Sequence, residues 1–275
     1  MALPGRIDGG PSVIAAVLAA FEPPSTKDFV WGCWGPSLDI GGVSFCLNFI
    51  IFLVLFGFVL FLGFFFFALR KPQVVPGKLQ SLAEMGVGFV RENIALPMIG
   101  PAGDRYMPLL VTLFFAILFW NIFEVVPGIN FAPTSRLAFP LVMAMIAWVT
   151  YNAIGIRKHG FFGYLKFVLI AEGAPWWLKY TLLPIIEFVT VIVMRPITLA
   201  LRLAANFLAG HFLLAVFFLG TIALLQGGWI AIFAPFSFAI SIVLVGFEIF
   251  VSLLQAFIFS ILTASYIGGA MAEEH

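Results

Sequence analysis

Apolar residues run through this chain in blocks too long and too uniform for the faces of soluble helices, and polar residues gather in the gaps between them. The first block, about Val43 to Leu69, carries no charge and stops at Arg70-Lys71-Pro72. About 20 apolar residues carry a helix across a bilayer core, so this block predicts a span, and the basic pair at its end favours the cytoplasmic side. The N-terminus is then expected outside. Between Pro76 and Pro97 the pattern changes: Leu79, Leu82, Met85, Phe89 and Ile94 recur at roughly helical intervals among Lys78, Glu84, Arg91 and Glu92. That spacing predicts an amphipathic helix over 77–97 lying on the cytoplasmic membrane face.

A second span is expected over 106–126, starting beside Arg105, carrying Asn121 and Glu124 near its far end and stopped by Pro127-Gly128. A third, 137–156, holds no charge and ends at Arg157-Lys158-His159, which returns the chain to the cytoplasmic side. The stretch that follows is broken by Lys166, Glu172 and Pro175, so it is placed at the inner interface with Trp176 and Trp177 as headgroup-level anchors. Two segments remain, 180–225 and 229–271, joined by Gln226-Gly227-Gly228. At about 1.5 Å per residue each exceeds a core of roughly 30 Å, so they must tilt, bend or protrude.

The pattern therefore predicts an all-α integral membrane protein with about five transmembrane helices, a cytoplasmic-face amphipathic helix and a long tilted helical hairpin at the end. Residues 41–275 form one membrane domain, with the C-terminus cytoplasmic. Residues 1–40 are a separate extracytoplasmic or interfacial segment. Its apolar patch, Val13 to Phe21, is too short to span and reads as a signal-type core or an interfacial helix, the uncleaved form being preferred. No duplication between halves is evident, which weakens an inverted-repeat transporter.

Composition sharpens this picture. With 63% hydrophobic and 10% charged residues the chain lies outside soluble-domain usage. The length of the uncharged runs makes the spans helices rather than barrel strands. Fourteen basic residues nearly cancel thirteen acidic ones without long blocks, so nucleic acid is not an expected partner. Cys33 and Cys46 fit no metal-ligand spacing and are read as inert, and no cofactor is called for.

Candidate chemistry concentrates in RPITLALRLAANFLAGH, Arg195 to His211. Arginine at membrane depth costs about 2.5–3.5 kcal/mol on insertion scales, which makes Arg202 a functional candidate. The alternative is a structural arginine neutralised by a carboxylate on a neighbouring helix. A hairpin turning at Gly228-Trp229 would put Arg202 level with Gln255 and His211 level with Glu248, two polar layers about 11–14 Å apart along the helices. Arg195, Arg202 and Asn206 share a face, whereas His211 points to roughly the opposite one.

No carboxylate of this chain sits level with Arg202, so a partner carboxylate is expected from another subunit. A guanidinium stays charged and does not relay protons, so Arg202 would attract that carboxylate and repel protons. His211 and Glu248 read either as a proton relay or as a buried pair stapling the hairpin. Glu187 and Arg195 read as an interfacial pair or as part of an inner access path. A stand-alone channel or transporter and a structural anchor stay open as alternatives. A redox subunit is disfavoured because only His211 of three histidines lies at membrane depth.

The stretches LRLAANFLAGH (Leu201 to His211), LQAFIFSILTASYI (Leu254 to Ile267), NIFEVVPG (Asn121 to Gly128) and PGKLQSLAE (Pro76 to Glu84) together resemble subunit a of the rotary F-type ATP synthases. The resemblance covers the chain from about residue 40 onward. It implies a non-catalytic, proton-conducting stator subunit of a multi-pass kind, and the bacterial plasma membrane is preferred to an organelle inner membrane because no Arg/Ser-rich transit segment is visible. It further implies a rotating ring of c subunits and peripheral-stalk b subunits as partners, with protons preferred to sodium. Arg202 falls on the family's essential arginine, which separates two offset half-channels. His211 and Glu248 fall on two positions that the family fills with an acid and a histidine in either arrangement; they would line the outer half-channel with Asn121 and Glu124. Asn206 and Gln255 match polar positions near the arginine. Glu187 lies one position off the spacing of an acidic residue that often precedes this motif. Ala204-Ala205 replace bulkier residues or glycine.

Overall fold

Asn48 decides where the first membrane helix starts. Its backbone is extended, and its Oδ1 accepts a hydrogen bond from the Ile51 amide at 3.0 Å, satisfying one of the donors that every helix N-terminus leaves open. Helix α1 therefore runs Phe49–Leu69. Val43–Phe45, at the head of the first apolar block, instead forms a short strand (β2) paired antiparallel with Leu38–Ile40 (β1). The computed structural model describes residues 38–40, 43–45, 48–126, 129, 131–169, 181–226 and 228–272. The Val13–Phe21 patch, both cysteines, Pro127-Gly128, Glu172, Pro175, the Trp176-Trp177 pair and the terminal acids lie outside the described residues.

The other elements follow in order: α2 Lys78–Val90, α3 Met107–Ile122, α4 Ala138–His159, α5 Phe161–Leu169, α6 Arg195–Gln226 and α7 Ala234–Met271. A helical lead-in, Leu183–Phe188 and Val189–Met194, runs directly into α6, and a tight 3₁₀ segment, Gly228–Phe233, precedes α7. Among the described residues, five helical stretches are long and apolar enough to cross a membrane: Phe49–Leu69, Pro101–Ile122, Ala138–His159, Leu183–Gln226 and Ile230–Met271. The described residues fall into two compact units, one within 33–207 and 251–275 and the other within 208–250.

In the larger unit α1 and α3 pack through phenylalanine. Phe61 and Phe64 meet Phe119, while Phe64 and Phe65 meet Phe115, with ring centroids 5.0–6.4 Å apart. Gly57 makes the approach possible, because a methyl group there would collide with the Trp120 indole. That indole donates to the Val54 carbonyl at 3.2 Å. The remainder of α1 is apolar on every side, with Val59 64% and Phe67 67% exposed, as suits a helix surrounded by lipid.

Helix α2 inverts the usual reading of an amphipathic pattern. Leu79, Leu82, Met85 and Phe89 are exposed, whereas Gln80, Ala83 and Val90 are buried. Small side chains admit the neighbouring elements: a methyl on Gly86 would strike the Phe115 ring, and one on Gly268 of α7 would strike the Met98 carbonyl. The large apolar residues are left to face the bilayer. Just after α2, Arg91 forms a two-pronged bridge to Asp104, Nε to Oδ1 at 2.7 Å and NH2 to Oδ2 at 2.8 Å. Both side chains are half-exposed, so solvent screening keeps its contribution small. Donating to the Asp104 carboxylate raises the Arg91 guanidinium above its ordinary range, so it stays charged at any physiological pH.

At the basic end of α4, Gly160 adopts φ 74°, a left-handed turn that ends the helix and lets α5 fold back. Gly155 accepts the Tyr164 ring against its α-carbon, and the Tyr164 hydroxyl donates to Asn152 Oδ1 at 3.1 Å.

Candidate functional site

Helix α6 begins with one face already committed. Leu199, Ala200, Leu203, Ala204 and Phe207 are buried, and the Phe207 ring meets Phe131 edge-on at 5.5 Å. The apolar period of 3–4 residues thus fixes the rotation of the helix, and the opposite face carries Thr198, Arg202, Ala205 and Ala209, all exposed. Arg202 makes no ion pair or hydrogen bond among the described residues. The alternative of an arginine neutralised by a carboxylate on a neighbouring helix therefore finds no partner there. Alanine three and seven residues beyond it leaves no bulk on that face, so another backbone can approach the guanidinium closely. Ala204 lies in the core and Ala205 outside it, so the two substitutions noted in the sequence act on opposite faces. Asn206 and Gln255 are half-buried, and neither forms a hydrogen bond with Arg202.

In the smaller unit Glu248 is 3% exposed and His211 is half-buried. The Glu248 carboxyl rests on Gly210, the residue before His211, where any Cβ would collide with both carboxyl oxygens. Its Oε2 has no hydrogen-bond partner among the described residues, so the group keeps acceptor capacity. Further along, the Thr221 hydroxyl donates to Ser237 Oγ at 2.9 Å, and Ser241 is fully buried. These hydroxyls give the hairpin polar contacts that the ionisable residues alone did not reveal.

In the larger unit Asn121 and Glu124 are 5% and 4% exposed. Thr134, buried completely, donates its hydroxyl to Asn121 Oδ1 at 2.8 Å and so fixes the amide of Asn121. Thr134 and Gly210 escaped the sequence reading, because a threonine in a loop and one glycine among 26 carry no spacing signal.

Glu187 and Arg195 line one cavity of about 430 Å³ together with Tyr164, Ser265 and Tyr266. They form no ion pair. Arg195 instead lies over the Tyr266 ring at 4.8 Å and the Tyr151 ring at 5.9 Å, an attraction to the aromatic quadrupole that replaces the expected carboxylate. Between Glu187 and Arg195 the backbone widens into a π turn, Val189–Met194. A π turn takes up one residue more than an α turn, the same size as the one-position offset of Glu187 noted in the sequence.

A family model described as "ATP synthase A chain" matches residues 50–268. The chain is 39% identical to ATP synthase subunit a of Rhodococcus erythropolis over 268 residues, 96% of each chain. It is 42% identical to ATP synthase subunit a of Streptomyces lividans over 224 residues, covering 81% of this chain and 79% of that one. The subunit a of a Nocardioides species is 41% identical over 267 residues, 93% of this chain and 95% of the relative.

Proposed function

This chain belongs to the ATP synthase A chain family, and from that premise we propose that it separates two proton half-channels with Arg202 and presents that arginine to carboxylates on a rotating ring of c subunits. Membership makes it the proton-translocating stator subunit of an F-type ATP synthase, a component of the proton channel rather than the seat of ATP chemistry. The observation that carries the proposal is the exposure of Arg202 on a face lined with alanine, with no carboxylate of the described residues paired to it. A permanent cation exposed at membrane depth calls for a partner anion.

Protons enter from the outer side past Asn121 and Glu124, reach His211 and Glu248, and neutralise a ring carboxylate. Only the neutral carboxyl is cheap in lipid, so protonation releases that site to rotate away from Arg202. The unpaired Glu248 oxygen and the neighbouring imidazole suit a group that must hold and pass on a proton near neutral pH. After nearly a full turn the site meets the inner path, where the cavity bearing Glu187 accepts the proton. Arg202 then favours the ring anion and blocks direct proton passage, because its guanidinium does not deprotonate. Asn206 and Gln255 supply polar contacts beside it. Each charge crossing the membrane supplies about 2.3 kcal/mol per 100 mV, so several are required for each ATP.

The peripheral-stalk b subunits hold the chain against rotation, and the bacterial plasma membrane is its location, with the N-terminus outside and the C-terminus in the cytoplasm. The basic ends of α1 and α4 support that orientation, and the bacterial relatives support the location. The deciding experiment is ATP synthesis driven by an acid-to-base jump in vesicles carrying the Arg202→Ala complex. Loss of synthesis with a normal amount of this subunit in the complex is expected. Retained synthesis would reduce Arg202 to a structural charge.

A further inference from the structure

Independently of the proton path, we propose that the basic cavity between the start of α3 and the end of α4 binds the phosphate headgroup of an anionic phospholipid. The cavity, about 530 Å³, is lined by Arg105, Arg157 and Lys158, with Tyr106 and Thr150 supplying hydroxyls, and no acidic residue among the described ones lines it. The carboxylate nearest in sequence, Asp104, is already engaged by both prongs of Arg91. Lys158 donates to the Met271 carbonyl, which ties the last turn of α7 to the cavity wall. Arg105 and Arg157 are exposed and make no ion pair among the described residues.

Two exposed guanidinium groups in a pocket match a phosphodiester, since their planar forks donate to phosphate oxygens in pairs. A lipid is favoured over a soluble anion by what continues from the cavity. Val149 is one of its walls, and Val149, Ile146 and Val142 form an exposed stripe along α4, 54%, 45% and 57% accessible. These positions share one helix face and lead away from the basic end. A headgroup seated between Arg105 and Arg157 would therefore lay an acyl chain along this stripe. Basic pockets between membrane helices on the cytoplasmic side recognise lipids in this way.

The test uses the purified complex in phosphatidylcholine vesicles doped with a phosphatidylglycerol that carries a photoreactive diazirine in its acyl chain. Labelled peptides are mapped by mass spectrometry. Label is expected at Ile146 and Val149, about tenfold stronger than from a phosphatidylcholine probe with the same acyl group. Arg105→Gln with Arg157→Gln should reduce it to the phosphatidylcholine level. Ala153→Trp, which fills the cavity and leaves every cation in place, should do the same, and keeps the test decisive if the double variant fails to assemble. Equal labelling by the two probes would overturn the proposal. So would loss of label on adding inorganic phosphate, which would assign the cavity to a soluble anion. Absence of label with cross-linking of this face to another subunit would also overturn it.

Discussion

The carboxyl of Glu248 lies against the backbone of Gly210, so closely that a single added methyl would occupy the same space. Gly210→Ala is therefore expected to displace the carboxyl and slow proton-driven ATP synthesis by about tenfold. The helix itself would gain, since alanine is favoured over glycine in a helix interior by roughly 1 kcal/mol. Gly220→Ala, on the same helix with open space around it, should leave the rate unchanged. Equal rates in both variants would show that the position of Glu248 does not matter. His211→Ala tests the neighbour: slow proton uptake in a complex with the normal complement of subunits is expected, and loss of the subunit would point to a staple instead.

Arg202→Lys should abolish coupled synthesis although the charge is kept, because a buried ammonium can deprotonate and lacks the planar fork. Since Arg202 is exposed and makes no ion pair or hydrogen bond among the described residues, the amount of subunit recovered should match the parent. A bulky residue at a neighbouring exposed site makes the complementary test. Ala205→Phe is expected to lower synthesis by obstructing the approach of the ring while leaving the chain's own core intact; unchanged synthesis would mean that no partner comes close to this face.

Thr134→Val removes the donor that holds Asn121 and leaves a buried amide oxygen unsatisfied, at a cost of about 1–3 kcal/mol. The expected reading is a lower thermal midpoint of the detergent-solubilised complex. Replacing both residues, Asn121→Leu with Thr134→Val, should recover much of the loss in stability, because no polar group is then stranded. Proton conduction in the double variant separates the structural role of the pair from its place in the outer path.

Tyr266→Leu should cost about 0.5–2 kcal/mol by removing the aromatic face under Arg195, while Tyr266→Phe keeps it and should be nearly silent. The same midpoint measurement distinguishes them. If the two variants behave alike, the ring face is not what holds Arg195.

How much of this was legible in the sequence depended on which physical rule governed each feature. The span criterion rests on bilayer thickness alone, so five crossing segments could be counted from apolar length. The start of α1 could not, because Val43 and Phe45 suit a strand as well as a membrane helix, and only the Asn48 cap separates them. In α2 the apolar spacing and its assignment to the membrane side came from the pattern, but the burial of Gln80 did not, since its partners, the Gln73 backbone and Glu84, form no periodic signal. The absence of a carboxylate level with Arg202 was readable from a list of ionisable residues. The ion pair that was one of two readings of Glu187 and Arg195 does not form: Tyr151 and Tyr266 reach the guanidinium from α4 and α7, an arrangement that no local pattern encodes.

The π turn at Val189–Met194 holds one residue in reserve between Glu187 and Arg195. Losing that residue would let the backbone close as an ordinary α turn while the helix on each side keeps its facing, and regaining it would reopen the π turn. A single insertion or deletion can thus be taken up at this point without turning Glu187 relative to Arg202, so chain length here is free to drift over evolutionary time while the two side chains stay in phase.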